Sequence, residues 1–133
     1  MPVNITSPQD AEWLMAQEVQ AACGIRCTAT DEAEQECEAH AQFVQTGCMP
    51  SGDVAWLHTM SIDVWAGESP DYAAAWDAAL KVSGALARIG VESAHGFRNT
   101  EITNIYKNPS ASHPDVPRVT IAANAVLRGI AAI

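Results

Sequence analysis

Basic side chains are scarce in this sequence. Seven Lys and Arg face 16 Asp and Glu across 133 residues, for a formal charge of −9. No Lys/Arg cluster makes a local cationic footprint, which excludes general phosphate binding to nucleic acid. Charge of either sign is sparse as well, at 17% against about 25% in an ordinary domain. A fairly apolar surface suits a subunit that buries faces against neighbours. No apolar run is long enough for a membrane span. The opening MPVNITSPQDAEW has neither a basic region nor an apolar stretch, so no secretory signal is expected and the chain is expected inside the cell that makes it. G-x-S-x-G, HExxH and a Gly-rich phosphate loop are all missing, so no enzyme is expected.

What is present is an alanine-rich, 48% hydrophobic chain of a length that predicts one domain with its own core. Residues 1–6 read as a loose arm and 129–133 as a short tail. Ser7-Pro8 and Asp10 signal a helix start. Ala11, Leu14, Met15, Val19 and Ala22 recur at helical spacing, and Gly24 stands where a left-handed cap would end the helix. A helix is predicted over 8–23. Strands are predicted over 25–29 and 37–46, with the acidic run DEAEQECE as a solvated loop and GCMPSGD as a turn. AWLHTMSIDVWA, residues 55–66, alternates most clearly. Met60, Ile62 and Val64 share one face; Thr59, Ser61, Asp63 and Trp65 share the other.

A second Ser-Pro start precedes a helix whose predicted buried stripe is Trp76, Ala79, Leu80, Ser83, Leu86 and Ala87, ending at Gly90. Residues 102–107 read as a strand, and the proline-rich NPSASHPDVP as a loop. The last strand, 118–128, puts Val119, Ile121, Ala123, Ala125 and Leu127 on one face. Its small residues Ala122, Ala123 and Ala125 allow close approach by the second helix or by a neighbouring subunit. This order predicts an α+β fold: a mostly antiparallel sheet of four to five strands, with two helices packed on one face.

Cys23, Cys27, Cys37 and His40, with Cys48 nearby, have the donor types zinc requires, but the spacings fit known sites poorly. Four small buried hydrophobes is the reading adopted, with no metal and no cofactor expected. His58 and Asp63 fall on opposite faces of their strand and make no catalytic pair; no catalytic residue is assigned. The acidic run lacks calcium-loop spacing. Trp76 is read as core. Trp65, at a strand end on the polar face, and Arg118 and Arg128, bracketing the last strand, are the interface candidates.

Three stretches carry a likeness: FVQTG, then MSIDVWAGESPDYAAAWDAALKV, then the closing VPRVTIAANAVLRG. Their order and spacing over residues 8–129 resemble the tail terminator (tail completion, or minor tail) proteins of long-tailed bacteriophages. Val119 stands where an aromatic commonly follows the arginine. The resemblance implies a subunit of a sixfold ring at the head-proximal end of the tail tube, located in the virion neck and in host cytoplasm during assembly. Its implied partners are its own copies, the major tail tube protein and the head–tail connector. Genomic DNA would pass the acidic wall without specific binding. A neck connector or head-completion protein is the alternative within that class, and a small Cys/His zinc module the alternative outside it.

Overall fold

The computed structural model describes residues 4–29 and 38–131. In chain order it contains β1 (Thr6–Ser7), α1 (Ala11–Cys23), β2 (Arg26–Thr28), β3 (His40–Ser51), β4 (Ala55–Trp65), α2 (Ala73–Ile89), β5 (Arg98–Lys107), β6 (Arg118–Arg128) and β7 (Ile130–Ala131). The main sheet has five strands in the order β2-β3-β4-β6-β5, and both helices lie on one face. The β3–β4, β4–β6 and β5–β6 pairs are antiparallel; the short β2 runs parallel to β3. This is the expected α+β architecture.

Strand alternation builds the core. Phe43, Ile62 and Ile121 lie side by side across β3, β4 and β6, as do Ala41, Val64 and Val119. All six are fully buried, beneath Met15 and Val19 of α1 and Val82 and Leu86 of α2. Burying each large apolar side chain contributes about 1.5–3 kcal/mol. Ala123 and Ala125 face the same layer and are buried, so the close approach their size permits is used by the chain's own helical layer.

The helix boundaries follow their caps. Asp10, three residues beyond the expected start, accepts from the Trp13 N–H at 3.2 Å and caps α1. Gly24, at φ 77°, closes it as expected. In α2 the Ser69-Pro70 turn precedes the helix, and Asp71 accepts from the Ala73 N–H at 2.9 Å. The buried face of α2 is Ala75, Ala78, Ala79, Val82, Ala85, Leu86 and Ile89. The predicted stripe was therefore rotated: Trp76 and Leu80 are 37% and 50% exposed, and Ala87 is also exposed. Trp76 is not core. The alanines fill the narrow gap over the sheet, and the bulky side chains are turned outward.

Two further expectations are corrected. GCMPSGD is strand rather than turn through Ser51, with a bulge between Gln45 and Gly47. A Cβ on Gly47 would stand 2.9 Å from Thr59 Oγ1, and Pro50 is tolerated because this half of β3 lies at a sheet edge. The terminal arm is pinned from Asn4 onward. Asn4 Nδ2 donates to the Gly52 and Ala55 carbonyls, and β1 pairs with β7 through Thr6–Ala131 and Ser7–Ile130. Gly129 permits this clasp, since a Cβ there would collide with Thr6. β6 is an interior strand, hydrogen-bonded on both sides.

Candidate functional site

A cluster of polar and aromatic groups sits on the helix-free face, at the end of β4. Trp65 is flanked across the sheet by His40 of β3 and Arg118 of β6. His40 stacks on its ring at 6.4 Å and 10°. The proline-rich connection between β5 and β6 folds over it and brings His113 edge-on at 5.6 Å. The Arg118 guanidinium lies 5.1 Å from the ring centre. Arg118 Nε donates to the Asn108 carbonyl at 2.6 Å, and its Nη1 stands 3.9 Å from Asp63 Oδ2. Thr120 Oγ1 donates to Asp63 at 2.8 Å and accepts from Asn108 Nδ2 at 3.0 Å. Asp63, Thr120, Asn108 and Arg118 therefore close a polar ring that fixes the guanidinium over the indole. Such a cation–π contact is worth about 0.5–2 kcal/mol.

This arrangement corrects the reading of Trp65 as a surface anchor. It is 2% exposed and packs against the chain's own loop. The alternation correctly placed it on the polar face, but the sequence does not reveal that the proline loop covers that end. Arg118 is likewise spent inside the chain. Arg128 lies at the far end of β6; its side chain is exposed, and its carbonyl accepts from Gln9 Nε2 at 2.7 Å. The structure thus brings Trp65 and Arg118 together and leaves Arg128 apart.

The described donors of the zinc alternative do not converge. Cys27 pairs with the core residue Ala41 on the helix side, whereas His40 pairs with Arg26 on the opposite face. Cys37 and most of the acidic run lie outside the described residues. Among the described residues no group of three His, Cys, Asp or Glu could hold a metal. Burial, and then neighbouring Cys23, push the Cys27 thiol up to about 12. Its Sγ–H donates to the Ile25 carbonyl at 3.2 Å.

His58 is 0% exposed on the helix side of β4, and burial lowers its pKa below the usual imidazole value. Its Nδ1 lies 2.9 Å from Gln45 Oε1, which can only accept, so Nδ1 carries the proton. Nε2 has no partner among the described residues. Cys48 stands opposite it in the β3–β4 register, but no hydrogen bond joins the two, and burial raises the Cys48 thiol.

Sequence reasoning missed Glu18. This carboxylate is buried within the apolar stripe of α1. It accepts from Ser93 Oγ at 2.7 Å, the Ala94 N–H at 3.0 Å, the His95 N–H at 3.1 Å and His95 Nδ1 at 2.8 Å. It pins the turn after α2 to α1. Its one signal was an acid between Met15 and Val19 on the buried face.

No protein-family model matches the chain, and no curated protein matches it. Among the described residues no helix is long and apolar enough to cross a membrane.

Proposed function

We propose that the chain is a structural virion subunit, the tail terminator of a long-tailed bacteriophage. It ends tube polymerisation as a sixfold ring and presents a surface to the head connector. One observation carries this reading: the segments that bear the likeness meet in a single contact. Trp65 of MSIDVWAGESP and Arg118 of VPRVTIAANAVLRG are register partners, with the guanidinium over the indole. The segments that bear the likeness thus contribute to one built feature. The exposed outer side of α2 and the half-buried second face of the sheet fit a protein that works in contact with neighbours. A formal charge of −9 keeps passing DNA off the wall by repulsion. The ring and its sixfold number rest on the resemblance.

The test is electron microscopy of a lysate from a phage carrying an early stop codon in this reading frame. Overlong tails detached from filled heads are expected. Tails of normal length lying free would reassign the protein to the connector, and intact infectious particles would overturn the structural role.

A further inference from the structure

The outer side of α2 is built as carefully as its buried side. Ala73, Trp76, Leu80, Gly84, Ala87 and Val91 recur every three or four residues and fall on one line, opposite Val82 and Ile89. All six are exposed, Val91 at 91%. The helical turn carries on to Val91, because the N–H groups of Val91 and Glu92 both donate to the Arg88 carbonyl. The line is ordered by size. Bulky Trp76 and Leu80 occupy its first half; Gly84, with open space above it, and Ala87 occupy its second. A hollow of about 430 Å³, lined by Asp71, Tyr72, Ala73, Trp76 and Lys107, opens at its start. Charge is ordered as well. Asp77 and Lys81 form an exposed pair at 3.3 Å beside the first half. Arg88 lies on the same flank of the second half and makes no ion pair among the described residues.

We propose that this face binds the same face of a second copy, with the two α2 helices antiparallel about a twofold axis that crosses the exposed side at the height of Val82. That single register satisfies four features together. Leu80 meets the space over Gly84, Trp76 covers Ala87, Val91 enters the hollow beside Ala73, and Asp77 meets Arg88. A twofold contact requires this self-complementarity, large against small and acid against base. The stripe is roughly 28 Å long and 10 Å wide, well below the roughly 800 Å² per partner of a standard interface. Pairing is therefore weak and concentration-dependent. It stands apart from the head-to-tail contacts of a ring and describes a pair formed away from the tail.

Sedimentation of the full chain over micromolar to submillimolar concentrations tests the proposal. The mass is expected to move from one chain to two. Leu80→Glu should raise the dissociation constant at least about tenfold with an unchanged circular dichroism spectrum. Asp77→Arg and Arg88→Asp should each weaken pairing, and combining them in one chain should restore it. A monomer at the highest concentration, or failure of the double swap to restore pairing in a folded chain, overturns the proposal. So does a larger assembly indifferent to Leu80→Glu, an outcome that leaves the ring reading standing. Conversely, intact infectious particles in the stop-codon lysate would sink the ring and leave the pair intact.

Discussion

Replacing Glu18 with Ala removes the acceptor of four donors at once: one hydroxyl, two backbone N–H groups and one imidazole. Hydrogen bonds to a charged group are each worth about 1.5–3 kcal/mol, and an unsatisfied buried donor costs about 1–3 kcal/mol. The full sum overstates the loss, because a hollow bordered by Glu18, Ser93 and Ala94 lets water reach some of the freed groups. A net loss of about 2–4 kcal/mol follows. At about 3–4 °C per kcal/mol for a chain of this size, the melting midpoint should fall by about 10 °C. Glu18→Gln keeps one acceptor oxygen but points an amide at N–H donors, so it should fall roughly midway. Thermal unfolding followed by circular dichroism gives the midpoints, and amide exchange at Ala94 and His95 gives the local effect. A midpoint for Glu18→Ala within about 2 °C of the parent, equivalent to about 0.5 kcal/mol, would refute the reasoning. The carboxylate would then be a tolerated burial rather than the tie between the two helices.

His58 predicts acid sensitivity. Its folded pKa is lowered by burial, so below the unfolded value of about 6.5 the unfolded chain binds the extra proton. Stability therefore rises with pH through that window and falls as pH drops below it, by at most about 1.4 kcal/mol per unit. Denaturant midpoints between neutral and mildly acidic pH should show this slope, flattened in His58→Phe. Cys27, with its thiol near 12, should react with a thiol reagent at mildly alkaline pH orders of magnitude more slowly than an unfolded control; equal rates would contradict the burial. Arg118→Ala removes the lid over Trp65 and one support of the proline loop. It should cost about 1–2 kcal/mol and raise indole accessibility to a fluorescence quencher, whereas Arg128→Ala should change neither.

The parts of the fold legible in the sequence were those with an unbroken local period. The alternation of β4 and β6 assigned the correct faces to Met60, Ile62, Val64 and Val119 through Leu127, and Gly24 marked the end of α1. The parts that could not be read depend on neighbours distant in sequence. Gly47 and Pro50 look like turn residues, yet they lie in an edge strand because Thr59 crowds one and no ladder needs the other's missing N–H. A stripe through Trp76 and Leu80 equates bulk with burial, whereas the sheet surface admits alanine. Trp65 was placed on the right face but not under its cover, since nothing local in NPSASHPDVP says which side chain the loop will shield. Glu18 was silent because its partners lie over 70 positions away.

The position of β6 has a consequence for biosynthesis. β6 is made after β3, β4, β5 and both helices yet lies between β4 and β5, so the β3–β4 hairpin and both helices leave the ribosome without the strand that joins them to β5. Until Arg128 has emerged, β5 has no partner and Ile62 and Val64 lack half their lateral neighbours. The chain should therefore complete its fold late, in a single step that closes the sheet from within. Nascent chains stopped before Arg118 should remain protease-sensitive along their whole length.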